Sequence, residues 1–119
     1  MSLRLVILLV VLGLLVITTL AHASEYIEAR DLIGKQLEQI KKGDVDGLKA
    51  SFTARRQDKI TKALVEAAQK EVGKQTLDDL VGSVTIQGHV LKVKMANGRF
   101  LTTLVKVGGA WKADTVWFK

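Results

Sequence analysis

After Gly82 the spacing of apolar residues changes from helical to alternating, and this change divides the chain into a helical part and a sheet. Val84-Thr85-Ile86 reads as a short strand, His89 to Ala96 as a second, Arg99 to Val107 as a third and Ala110 to Phe118 as a fourth. Asn97-Gly98 is a strong two-residue hairpin signal, because a type I′ turn needs positive φ at both central positions. Gly108-Gly109 meets the same need. Two-residue turns make consecutive strands antiparallel neighbours, so the expected sheet is a meander of three to four strands.

Such turns also set which side chains share a face. With Ala96 opposite Arg99, Met95 faces Phe100, Val93 faces Thr102 and Leu91 faces Leu104. With Val107 opposite Ala110, Leu104 faces Ala113, Thr102 faces Thr115 and Phe100 faces Trp117. One face is therefore Leu91, Val93, Met95, Phe100, Leu104, Trp117 and two threonines, and helices must cover it. The other face mixes Lys92, Lys94, Thr103, Lys112 and Asp114 with Val90, Leu101, Val105, Val116 and Phe118. Five apolar side chains exceed what a wholly wetted face needs, which points to a homodimer or a protein partner docking there.

The helical part has three expected segments. Ser24 suits an N-cap, with Glu25 and Glu28 where carboxylates favour the helix dipole. Tyr26, Ala29, Ile33, Leu37 and Ile40 then recur at helical spacing up to Gly43. Asp44 caps a short second helix with Val45, Leu48 and Phe52 on one face. A third is expected from Thr53 to Gly73, with Ile60, Leu64, Ala67, Ala68 and Val72 on its apolar side. Its start is basic, carrying Arg55, Arg56, Lys59 and Lys62. Arginines in a first turn oppose the helix dipole, so they serve as a solvated face or as a contact for anionic lipid or an acidic partner. Thr76 with Asp79 reads as one capped turn.

Met1 to Arg4 is a short basic start and Leu5 to Leu20 is uninterruptedly apolar. Ala21-His22-Ala23 places small residues where a signal peptidase reads them, so residues 1–23 are expected to be a signal peptide, with 24–119 the domain. An uncleaved membrane anchor, contacting lipid through residues 5–21, is the alternative. Arg4 on the near side, with Glu25, Glu28 and Asp31 on the far side, places the domain outside the cytoplasm in either form, periplasmic or extracellular.

The absence of cysteine excludes disulfides, a thiol nucleophile and a lipidated cysteine. Eighteen basic against twelve acidic residues give a net charge of +6, but no run of cations or row of aromatics suits nucleic acid. No metal or other cofactor is expected. Gly43-Asp44-Val45-Asp46-Gly47 lacks the remaining ligands of a calcium loop, and His89 would be the one histidine left after cleavage. Ser51 and Ser83 lie in no nucleophile-elbow context.

The run Lys42-Gly43-Asp44-Val45-Asp46-Gly47-Leu48, followed by further helical segments, resembles the opening of nuclear-transport-factor-like (SnoaL-like, cystatin-like cone) domains. The closing Val105-Lys106-Val107-Gly108-Gly109-Ala110-Trp111-Lys112-Ala113-Asp114 resembles their last two strands. The resemblance implies an α+β fold with a curved sheet wrapped around the first helix, leaving a cone-shaped pocket. It also implies dimerisation through the outer sheet face. Members of that family include isomerases, dehydratases, hydrolases and exported domains that only bind.

The inward face is nearly free of titratable groups, so catalytic residues are not assigned. The end row, His89, Lys106 and Trp111, shares the inward parity; with Trp117 and Tyr26 it forms the expected pocket for a small apolar ligand. The expected function is thus an exported, non-catalytic binding or accessory domain. A single-pass subunit of a membrane assembly and a small cone-type isomerase, dehydratase or hydrolase are the alternatives.

Overall fold

The computed structural model describes the backbone of residues 3–118 and the side chains of residues 23–118. Of the expected leader or anchor, residues 1–23, all but the last residue lies outside the described side chains. Among the described residues no helix is long and apolar enough to cross a membrane.

The fold is α+β, with helices first and a four-stranded antiparallel sheet after them. The helices are α1 (Leu3–Lys42), α2 (Val45–Ala50), α3 (Ala54–Gln57), α4 (Lys62–Val72) and α5 (Leu77–Leu80). The strands β1 (Ser83–Gln87), β2 (Val90–Lys94), β3 (Phe100–Val107) and β4 (Ala110–Ala113) lie in sequence order. Ser24 is an interior residue of α1 and not a cap, since nothing in the alanine-flanked stretch around it interrupts a helix. Gly43 ends α1 at φ +72, a conformation costly for residues with a Cβ. Asp44 then caps α2 by accepting from the Gly47 amide at 3.0 Å.

The third expected helix is two. After α3 the chain breaks over residues 58–61, and Thr61 restarts it by accepting from the Leu64 amide at 3.1 Å. The break turns Ile60 fully into the core and puts Val65, not Ala67, on the buried side of α4. Thr76 and Asp79 form the expected capping box at α5.

One face of the sheet packs on α1. Ala29, Ile33 and Ile40 are wholly buried, as are Val93 and Leu104, and Leu37 and Leu91 nearly so. This is the main apolar core that a cysteine-free domain of this size depends on. Gln36 shares that buried stripe. Its amide donates to Ser51 Oγ at 2.9 Å and its Oε1 accepts from the Trp117 indole at 2.8 Å.

The register agrees with expectation at Leu91–Leu104 and Val93–Thr102, and at all four β3–β4 pairs from Leu104–Ala113 to Val107–Ala110. Gly108 and Gly109, at φ +58 and +82, make the expected type I′ turn. The turn between β2 and β3 differs. Met95 donates to the Arg99 carbonyl at 2.8 Å, closing a three-residue loop over Ala96, Asn97 and Gly98. Only Gly98 then needs positive φ, and Asn97 is spared it. This shifts the pairing by one residue, to Lys94–Phe100, and a bulge at Leu101 restores it before Thr102.

The bulge exchanges two side chains. Phe100, expected inside, is 48% exposed, with the Lys92 ammonium 5.9 Å from its ring centre. Leu101, expected outside, is 6% exposed within the core. The outer-face patch is corrected further, because β4 stops at Ala113 and strand parity ends with it. Val116 and Phe118 turn inward, where the Phe118 ring meets Phe52 edge-on at 5.7 Å. Of the five residues expected to form an interface, Val90 and Val105 alone remain partly exposed, as a directly opposed pair.

Candidate functional site

The structure brings His89, Lys106 and Trp111 together at one end of the sheet. His89 is the second residue of the turn joining β1 to β2, while Lys106 and Trp111 are register partners on β3 and β4. With Glu25, Ile86, Val90 and Leu91 they line a cleft of about 250 Å³. The Lys106 ammonium lies 5.4 Å from the Trp111 ring centre, a cation–π contact. Trp111 donates its indole N–H to Glu28 Oε2 at 2.5 Å, which fixes the ring against α1.

This cleft can hold a small ligand by stacking and by charge of either sign, since an ammonium and an imidazole share its lining with the Glu25 carboxylate. Among the described residues His89 has no side-chain hydrogen-bond partner to orient it, and no three potential metal ligands converge anywhere.

Trp117 and Tyr26 do not join that cleft as a unit. Trp117 stands over Gln36, with the Phe118 ring edge-on at 5.1 Å, and borders a separate hollow with Met95, Arg99 and Leu101. Its indole serves the core. Tyr26 is half-buried against the core on α1.

The basic group has a structural role that its sequence position conceals. Arg55 binds the Asp114 carboxylate through Nε at 2.8 Å and through a second nitrogen, and Thr53 Oγ1 donates to the same carboxylate at 2.7 Å. Arg56 Nε donates to the Asp114 carbonyl at 2.7 Å. The Arg55 hydrogen bonds, foremost, hold the Asp114 carboxyl below its ordinary value, against the opposing effect of partial burial. Arginines that oppose the α3 dipole are thus placed to clamp the end of β4. Lys59 and Lys62 remain exposed, and Lys59 borders a cleft of about 410 Å³ with Arg56, Leu64, Thr115 and Val116.

Sequence reasoning missed Gln36, Ser51 and Asp114 as organising residues. Gln36 carried a readable signal, because it falls on the same helical stripe as Ala29, Ile33 and Ile40. Asp114 carried none, since its partners are about sixty residues away in sequence.

No protein-family model, characterised protein or solved structure matches this chain.

Proposed function

We propose that this chain is an exported, non-catalytic binding or accessory domain of the nuclear-transport-factor-like type, its first helix filling the concave side of the sheet. One observation carries the reading. Where a cone enzyme would keep a chamber lined by titratable groups, α1 packs Ile33, Leu37 and Ile40 against Leu91, Val93 and Leu104 with almost no exposure. Groups capable of recognition lie on the rim instead, at His89, Lys106, Trp111 and Glu25. A small ligand or a partner's side chain is held there, stacked on Trp111.

The test is a mass measurement on the chain expressed in a bacterium with an intact envelope. The expected result is a soluble species outside the cytoplasm whose first residue is Ser24. Recovery of the whole chain in the membrane fraction replaces this reading with that of a single-pass accessory subunit. Recovery in the cytoplasm overturns both.

A further inference from the structure

The two edges of the sheet are unlike. On the β4 side, Ala113 is already paired: its amide donates to the Ser51 carbonyl and its carbonyl accepts from the Thr53 amide, both at 2.9 Å. On the β1 side nothing equivalent occurs. Among the described residues, β1 has its one backbone partner in β2, and its other edge is free.

The residues of that free edge follow from the hairpin geometry. A two-residue turn at Gly88-His89 makes Gln87–Val90 a hydrogen-bonded pair, and such pairs recur at every second residue. Ser83, Thr85 and Gln87 therefore direct their backbone groups to β2, while Val84 and Ile86 direct theirs away from the sheet. The same parity applied to β4 makes Ala113 an outward residue, as its pairing with Ser51 and Thr53 requires.

Natural edge strands are commonly protected by charge, proline or a covering segment. Ser83-Val84-Thr85-Ile86-Gln87 has no charge and no proline, and is rich in residues that favour strands. From this we propose that β1 is a pairing edge for a second copy of this chain, in antiparallel register about a two-fold axis at Thr85.

Self-complementarity selects both the partner and the register. Centred on Thr85, Val84 of each copy lies opposite Ile86 of the other, so every outward backbone group on both strands is paired. Moving the centre to Val84 sets Ile86 against Gly82, whose amide already donates to the Lys94 carbonyl at 2.8 Å. Moving it to Ile86 sets Val84 against the turn at Gly88. Facing residues in an antiparallel pair share a face, so Val84 and Ile86 continue the apolar inner face, where they already adjoin Val93 and Leu91. The outer face receives Thr85 against Thr85 and Ser83 against Gln87, all exposed and uncharged. The nearest like charges in that row, one Lys92 in each copy, are three strand spacings apart, roughly 14 Å. Over that distance salt screens them.

Cysteine cross-linking of the full-length chain tests the register, and its lack of native cysteine keeps the readout clean. In the proposed pairing Thr85 faces its own counterpart as a non-hydrogen-bonded pair, with Cα atoms about 4.5 Å apart, close enough for a disulfide. Thr85→Cys is expected to become a covalent dimer as the major species under mild oxidation. Ser83→Cys and Gln87→Cys should each form no covalent dimer alone and cross-link when mixed. Thr85→Glu, an exposed change opposing two like charges, should shift the sedimenting species from dimer to monomer. The proposal is overturned if the native chain is monomeric from micromolar to millimolar concentration. It is equally overturned if a dimer forms that Thr85→Glu leaves intact or that Thr85→Cys fails to trap.

Discussion

The indole N–H of Trp117 lies 2.8 Å from Oε1 of Gln36, joining the segment after β4 to the C-terminal part of α1. Gln36 is wholly buried and also donates to Ser51 Oγ, so one side chain ties together α1, the end of α2 and the segment after β4. A buried polar group in that position is favourable only while its partners are present.

Gln36→Leu should therefore destabilise the domain by about 1–3 kcal/mol, because it leaves the Trp117 N–H without an acceptor in a largely dry place. Trp117→Phe should cost a similar amount by leaving Oε1 without its donor. Urea unfolding of both single variants and the double variant checks this. The double is expected to lose less than the sum of the singles, the mark of a shared interaction.

Asp114 makes stability depend on acid. Its carboxyl is held below the ordinary value of 3.8, with Arg55 as the first cause. A group whose folded-state pKa is depressed contributes fully above its unfolded pKa, and the contribution is lost as pH falls through the folded value. Stability from this clamp should accordingly be constant through neutral pH and decline below about pH 4. Asp114→Asn should be less stable at pH 7, and its difference from the native chain should shrink across that acid range. Thermal unfolding from pH 2 to pH 7 measures both curves.

The bulge at Leu101 predicts opposite behaviour for neighbouring residues. Leu101→Ala should cost about 2–5 kcal/mol, as for other buried leucines. Phe100→Ser, at an exposed position, should change stability by less than about 1 kcal/mol. Chemical unfolding of the two variants distinguishes this register from one without a bulge, in which the order would be reversed.

Gly82 lies where β1 meets the turn between β2 and β3. A Cβ there would sit 2.6 Å from backbone atoms of Met95 and Ala96, which have no flexible end to withdraw. Gly82→Ala should cost about 1–3 kcal/mol by overpacking and loosen the β1–β2 hairpin first. Amide exchange along Ser83–Gln87 should quicken more than exchange in β3.

These residues show how far a sequence can be read. Alternation and paired glycines were enough for a four-strand meander, and for most of its register, because those signals act over a few residues. The Asn97-Gly98 turn was misjudged by one position. The bulge at Leu101 cancelled that error from Thr102 onward while leaving Phe100 and Leu101 exchanged. Both choices bury Leu101, which lines a hollow with Leu80 and Trp117, a packing matter that no local pattern encodes. The end of β4 was hidden for a related reason, since it is set by arginines on α3. The rim trio was legible because turn register alone aligns Lys106 with Trp111. Val116 and Phe118 were misassigned because strand parity was extended past the last paired residue.

The bridge from Phe52 to Ala113 has a consequence for how large any assembly of this sheet can grow. A sheet open on both sides is a polymerisation template, each added strand exposing another. Here one side is stoppered by the chain's own backbone. A two-fold contact at the other side uses up the same edge in both copies. Growth then terminates at two, and a strand with no charge to defend it is kept from seeding a fibre by a three-residue plug on the opposite side.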